Sequence, residues 1–115
     1  MKHLILAFLP LAAAADPATI TDIQAREQAS GWRFDVTVAH GDTGWDDYAD
    51  GWEVRLEDGT VLGTRTLFHP HVNEQPFTRS HVVEIPEGVT RVELFVSESV
   101  GGWGDEAYPF TLPGS

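Results

Sequence analysis

The segment Trp-Arg-Phe-Asp-Val-Thr-Val at residues 32–38 alternates apolar and polar side chains at every position. This alternation is typical of a β-strand that packs one face against a hydrophobic core. Shorter alternations recur along the chain between turn-forming residues, and no useful helical period appears after the first 15 residues. The sequence therefore predicts seven strands, at 18–26, 32–40, 52–57, 60–68, 77–85, 91–98 and 107–112.

The number and spacing of these strands predict an antiparallel β-sandwich of the immunoglobulin or fibronectin-like type. Trp52 opens the third strand, where such sandwiches often bury a tryptophan, and we expect it in the core. The fifth strand is less regular, because Arg79 and His81 share a face with the apolar Phe77 and Val83. A β-bulge at this point would turn the polar pair away from the core.

The connections between the strands alternate in length. Consecutive strands of an antiparallel sandwich reverse direction, so connections of equal parity emerge at the same end. The odd connections are tight and define a compact end, whereas the even ones are long and define what we call the loop end. The tight connections are 29–31, 58–59 and 86–90, and the long ones are 41–51, 69–76 and 99–106. Binding residues are expected at the loop end, because function concentrates in loops on a rigid scaffold.

Residues 1–15 have the pattern of a cleaved signal peptide. A short polar head is followed by an apolar run and by small residues that end at Ala15. This predicts a periplasmic or secreted protein, with a single domain at residues 16–115. The sequence contains no cysteine, so we expect neither disulfides nor a lipid-bearing thiol, and no stable membrane anchor.

The chain is strongly acidic, with a formal net charge of −11. Removal of Lys2 with the signal peptide would leave six arginines against eighteen acidic residues, a charge of −12. Such a surface repels nucleic acids and anionic membranes. The predicted mature domain also lacks methionine, so it offers no soft sulfur ligand for Cu(I).

The fourth connection, which two prolines bracket, suggests a site for a transition metal. His69 and His71 stand two residues apart, so in extended backbone their rings point to a common side. Imidazole pairs bind Zn²⁺ or Cu²⁺, with His40 at the end of the second strand as a third ligand and Asp42 or Glu74 completing the shell. The simpler alternative is two exposed histidines beside a proline.

The second connection is rich in carboxylates. It carries four aspartates in nine residues, namely Asp42, Asp46, Asp47 and Asp50. Oxygen ligands suit Ca²⁺, although the spacing does not match the EF-hand loop. A solvated loop with aspartates that accept from nearby backbone amides is the alternative.

Aromatic residues in the long connections suggest a different kind of ligand. Trp45, Tyr48 and Trp103 could form a face that binds a carbohydrate or a protein partner, or they could close the end of the sandwich. A purely structural domain with no ligand is a further alternative. No complete set of catalytic roles can be assigned, so we do not predict an enzyme.

Two segments resemble a group of known sequences. The stretches DTGWDDYAD at 42–50 and HPHVNEQPFTRS at 69–80 are similar to segments of short exported bacterial proteins of uncharacterised function. The resemblance implies export but no activity. It draws attention to the same two long connections.

Overall fold

The protein, for which we analysed a computed structural model, is described over residues 16–114 and consists of β-strands without a helix in that range. The predicted signal peptide at residues 1–15 lies outside the described residues. No helix in the described range could cross a membrane. The eight strands are β1 Thr19–Gln28, β2 Gly31–Ala39, β3 Ala49–Arg55, β4 Val61–Thr66, β5 Phe77–Val83, β6 Arg91–Glu98, β7 Gly102–Trp103 and β8 Tyr108–Thr111.

Within residues 16–114 the strands form two antiparallel sheets, consistent with the predicted sandwich. The first sheet has the order β1-β2-β5, and the second has the order β4-β3-β6-β7, with β8 also paired to β6. The first sheet contributes Phe34 to the core, where its ring meets the Phe110 ring of β8 in the second sheet at 6.1 Å. The strand missing from the sequence prediction is β7, which consists of two residues inside the sixth connection.

The core lies between the sheets and follows the alternation of the sequence. Phe34, Val36 and Val38 of β2 are at most 1% exposed, and the polar residues between them are only half-buried. Trp52 is completely buried, as predicted. Burial of each such large side chain contributes about 1.5–3 kcal/mol, so packing dominates the stability of this domain, which has no cysteine.

Strand β5 pairs with β2 in unbroken register, so the bulge considered near Arg79 is absent. His81 lies opposite Phe34, and Arg79 lies opposite Val36, which keeps both polar side chains on the inner face. They are tolerated because β5 is an edge strand and both remain half-buried. Charged side chains that point inward from an edge strand also disfavour pairing with a second molecule.

The compact end depends on backbone geometry. Gly59 in the hairpin between β3 and β4 has a φ of 94°, which side chains other than glycine rarely adopt. Gly31 has a φ of 141°, and a Cβ there would lie 2.8 Å from the carbonyl oxygen of Val83. Glycine therefore permits two tight connections that bring neighbouring strands together at this end.

Candidate metal centre

The second connection contacts both the fourth and the sixth, in agreement with the parity of their lengths. The Asp42 carboxylate of the second connection accepts a hydrogen bond from the backbone amide of His71 in the fourth at 2.8 Å. Tyr48 and Ser99 join the second connection to the sixth, since the Ser99 amide donates to the Tyr48 carbonyl at 2.8 Å. The Tyr48 amide in turn donates to the Ser99 hydroxyl at 3.0 Å.

The Asp42 carboxylate is at the centre of this assembly and is fully buried. Its Oδ1 accepts from the backbone amide of Ala49 at 3.0 Å and lies 2.7 Å from His40 Nδ1. With the His71 amide on Oδ2, both oxygens are occupied. Asp42 therefore fixes the loops and the ring of His40, and three partners share its two oxygens.

His40 is buried with hydrogen-bond acceptors around both ring nitrogens. Nδ1 meets the Asp42 carboxylate, and Nε2 lies 3.0 Å from the carbonyl oxygen of Asp16 and 3.5 Å from Asp47 Oδ1. A neutral imidazole has only one N–H, so it can satisfy only one of these two sides. With Asp42 as a carboxylate, two arrangements satisfy both sides: both nitrogens carry protons, or Nδ1 donates to Asp42 and the lone pair of Nε2 faces a cation.

Two carboxylates lie close to the His40 ring, and one of them, that of Asp47, is on the Nε2 side. One ligand atom each from His40, Asp47 and Glu98 can be chosen so that all three lie within 4.8 Å of one another. Asp47 Oδ1 is buried and accepts no hydrogen bond. Glu98 is 5% exposed, and its Oε1 accepts from the amides of Val100 and Gly101 at 2.8 Å each.

The position of Asp47 is set by a narrow turn. The Thr43 amide donates to the Asp47 carbonyl at 3.0 Å, and the Asp47 amide donates to the Gly44 carbonyl at 3.2 Å. These two bonds leave Trp45 and Asp46 at the exposed tip of the turn. The turn thus places Trp45 and Asp46 in solvent and the neighbouring Asp47 carboxylate against His40.

The histidines of the fourth connection are not part of the His40 group. His71 Nε2 accepts a hydrogen bond from Arg79 at 2.8 Å, and the His71 ring stacks on Phe77 with centroids 3.9 Å apart. Burial lowers the pKa of His71, and the positive charge of Arg79 lowers it further. Its neutral ring therefore carries the proton on Nδ1, a buried atom without a partner.

The other proposed ligands of that connection are exposed. The His69 ring lies 5.4 Å from that of His71, but His69 itself is exposed. Glu74 is also exposed and lies 3.4 Å from the Arg79 guanidinium. The predicted pair His69 and His71 is thus close in space, but the lone pair of His71 is occupied by Arg79.

The four aspartates suggested for Ca²⁺ have different environments. Asp42 is internal, Asp46 is exposed, Asp47 faces His40, and Asp50 accepts a hydrogen bond from the Ser97 hydroxyl. Only Asp47 belongs to the three-residue group.

The aromatic residues of the long connections also separate into two places. Trp45 and Tyr48 meet edge to face with centroids 5.6 Å apart. Trp103 instead lies near the Arg55 guanidinium, at 5.7 Å, and that guanidinium covers the Phe95 ring at 3.8 Å. The predicted set of three aromatic residues therefore does not share one contact cluster.

Glu98 is the member of the group that the sequence pattern did not single out. It is the last residue of β6, and the alternation of that strand drew attention only to its apolar positions. The available signal was parity, since β6 ends where the sixth connection begins, at the same end of the sandwich as His40.

A comparison with known proteins finds one informative relative. The chain is 38% identical over 104 residues to a protein described as "Putative lipoprotein" from Halomicrobium mukohataei. The match covers 81% of this chain and 51% of that protein, so the chain spans about half the length of the relative it matches. No family model matches the chain. No solved structure matches it either. The relative is consistent with a group of uncharacterised proteins and names no ligand.

Proposed function

We propose that this protein is an exported β-sandwich that binds one divalent transition-metal ion through His40, Asp47 and Glu98 at its loop end. The observation that carries the proposal is the ring of His40. Its Nδ1 lies 2.7 Å from a buried carboxylate, while its Nε2 faces only acceptors. Histidine ligands of metals characteristically donate their second N–H to a carboxylate, which orients the ring and raises its basicity.

The orphaned oxygen of Asp47 supports the same assignment. A buried carboxylate oxygen without a hydrogen bond is costly, and a cation between it, His40 and Glu98 would remove that cost. The carbonyl oxygen of Asp16, which lies 3.0 Å from Nε2, is positioned to add a further oxygen ligand.

The donor set favours Zn²⁺ or Cu²⁺ over Ca²⁺. One imidazole nitrogen with carboxylates suits Zn²⁺, and imidazole also suits Cu²⁺. Ca²⁺ uses six to eight oxygen ligands. We propose Zn²⁺ first because its preference for four ligands matches one nitrogen, two carboxylates and one carbonyl.

The wider role follows from the position of this site. The apolar run at residues 1–15 and a relative described as a lipoprotein support export, in the periplasm or outside the cell. The strand arrangement supports an immunoglobulin-like sandwich as the scaffold. We propose a binding role rather than catalysis, with Asp42 as a positioning residue behind His40.

The alternative is a structural ion pair, in which a doubly protonated His40 bridges Asp42 and Asp47. The two roles differ in one measurable respect, which is whether added metal stabilises the fold. A ligand that binds only the native state stabilises it by about 2.7 kcal/mol at one hundred times its Kd. For a domain of this size that corresponds to a rise in Tm of roughly 10–20 °C.

The experiment is thermal unfolding of the chelator-treated protein, titrated separately with Zn²⁺, Cu²⁺ and Ca²⁺. We expect a saturable rise in Tm with Zn²⁺ or Cu²⁺ that is lost in Asp47→Asn and strongly reduced in Glu98→Gln. The side-chain amide oxygen that Glu98→Gln introduces can still accept from the Val100 and Gly101 amides, so this variant separates ligation from loop structure.

Two matched controls make the assignment specific. Asp46→Asn removes a neighbouring carboxylate from the same turn and should leave the metal response intact. The double variant His69→Ala/His71→Ala tests the ligand pair of the fourth connection. A flat response to all three ions in the wild type would refute the metal proposal and leave the ion pair. If only the double variant loses the rise in Tm with metal, the metal binds at the fourth connection and not at His40.

A further inference from the structure

Exposed apolar side chains concentrate at the loop end. Seven large hydrophobic residues are exposed in the described range, and five lie in or next to the long connections. Those five are Trp45, Phe68, Val72, Val100 and Trp103. Trp45 stands out among them, because 67% of the surface of this large aromatic residue is exposed to solvent. Two of the five, Trp45 and Val72, line the same cleft, and exposed apolar side chains that share a cleft mark a binding surface.

Trp45 also lines an open cleft at the loop end. The cleft has a volume of about 670 Å³ and lies between the tip of the 43–47 turn and the fourth connection. Its polar lining includes His69, Asn73 and Glu74. These side chains provide amide and imidazole donors together with amide and carboxylate acceptors. The cleft is wide open to solvent, which suits a ring laid against an aromatic face rather than an enclosed ligand.

The aromatic wall of this cleft is braced. Tyr48 contacts Trp45 edge to face, and Tyr48 is held through its backbone by two hydrogen bonds to Ser99. The opposite wall is the fourth connection, in which Pro70 and Pro76 restrict the backbone. These restraints reduce the conformational entropy that the walls lose on binding.

We infer that this cleft binds a neutral pyranose ring, with the ring stacked on Trp45 and its hydroxyl groups paired with the fourth connection. A pyranose has an apolar C–H face that fits an indole and a rim of hydroxyls that both donate and accept. The acidic surface, with its net charge of −11, opposes anionic ligands and therefore acidic sugars. The inference does not rest on the metal site, which uses the buried side of the same turn.

The sequence grouped Trp103 with Trp45 and Tyr48, but in the structure the fourth connection, and not Trp103, lies across the cleft from Trp45. Trp103 is 41% exposed but lines a separate groove with Ala18, Glu98 and Gly101. It therefore serves as a matched control, since it is also an exposed tryptophan in a long connection.

The test is isothermal titration calorimetry of the wild type against cellohexaose, maltohexaose, xylohexaose, mannohexaose and chitohexaose, each up to 5 mM. We expect saturable binding to at least one of them. Trp45→Ala should weaken it by tenfold or more, and Asn73→Ala by a smaller factor. Trp103→Ala should leave the affinity within twofold of the wild type. Circular dichroism and Tm establish that each variant is folded.

Three results would overturn the inference. One is no binding to any of the five oligosaccharides. Another is binding that survives Trp45→Ala, and the third is binding that Trp103→Ala abolishes instead, which would place the sugar elsewhere. Repeating the titration in EDTA and in Asp47→Asn keeps the two proposals separate. Sugar binding that persists under both conditions shows that the cleft does not need the metal, so a flat metal response of the wild type would then refute only the metal site.

Discussion

The two ends of this sandwich are built on different physical principles. The compact end closes with short turns that depend on glycine backbone geometry, as at Gly59 with its φ of 94°. The loop end also contains glycines of positive φ, at Gly44 and Gly102, but in addition it buries polar side chains, with Asp42 and His40 at its centre. A tight turn forms with few long-range contacts, whereas a buried carboxylate is stable only when its hydrogen-bond partners are all in place. Stability at the loop end is therefore concentrated in a few side chains.

The largest expected effect comes from Asp42→Ala. This change leaves the backbone amides of Ala49 and His71 and the ring of His40 without their acceptor, all in buried positions. We expect the free energy of unfolding in urea to fall by about 3–5 kcal/mol, as for removal of one partner of a buried ion pair. Asp58→Ala, which removes one exposed hydrogen bond to Thr60 at the compact end, should have a far smaller effect. Equal losses in the two variants would contradict the comparison.

An intermediate effect is expected at the compact end from Gly59→Ala. Its φ of 94° costs a residue with a Cβ roughly 1–2 kcal/mol, although no atom within 4 Å would clash. The matched change at the loop end is Gly41→Ala, which has no strained φ and only Asp16 Oδ2 nearby, at 3.9 Å. Urea denaturation should show a loss for the first variant and little change for the second. The reverse order would mean that the backbone at Gly41 limits stability more than the turn at Gly59 does.

The smallest effect is a difference in pH dependence. Burial lowers the pKa of His71 below 6.5, so the unfolded chain binds this proton more readily than the folded chain. The contribution of His71 is therefore complete above pH 6.5 and is lost as the pH falls below that value. At the compact end, the hydrogen bond to Thr60 lowers the pKa of Asp58 below 3.8, and its contribution is lost only as the pH falls through that lowered pKa.

Urea midpoints measured in EDTA between pH 7 and pH 5 check this difference. The wild type should lose stability across the interval, and His71→Phe, which keeps an aromatic ring against Phe77, should lose less. Asp58→Asn should follow the wild type within the interval and depart from it only in stronger acid. Parallel profiles for all three proteins would remove His71 as a cause of the pH dependence.

Most of the fold could be predicted from the sequence, because the alternation of apolar and polar residues along each strand is a local pattern. Strand β2 has buried Phe34, Val36 and Val38 where the pattern requires them, and the parity of the connections placed the long loops together. Strand β7 has only two residues, which are too few to show an alternating pattern. Its pairing with Ser97 and Glu98 comes from tertiary contacts.

The candidate site was accessible only in part. The position of His40 at the end of β2 sufficed to place it at the loop end. The hydrogen bond from Arg79 to His71 Nε2 depends on how β5 is aligned with β2, and no local sequence pattern determines that alignment. The same holds for Glu98, whose closeness to Asp47 is set by the docking of two loops.

The contact between His40 and the carbonyl of Asp16 has a mechanical consequence. It fastens the start of the described chain to the loop end, whereas Gly114 lies in a groove with Trp32 and Gly88 at the compact end. Tension applied between residues 16 and 114 therefore runs along the strands and loads the β1–β2 and β6–β8 ladders in shear. Hydrogen bonds that are sheared together resist more force than bonds that are peeled one by one. Single-molecule extension should give higher rupture forces along this axis than across the β3–β4 hairpin.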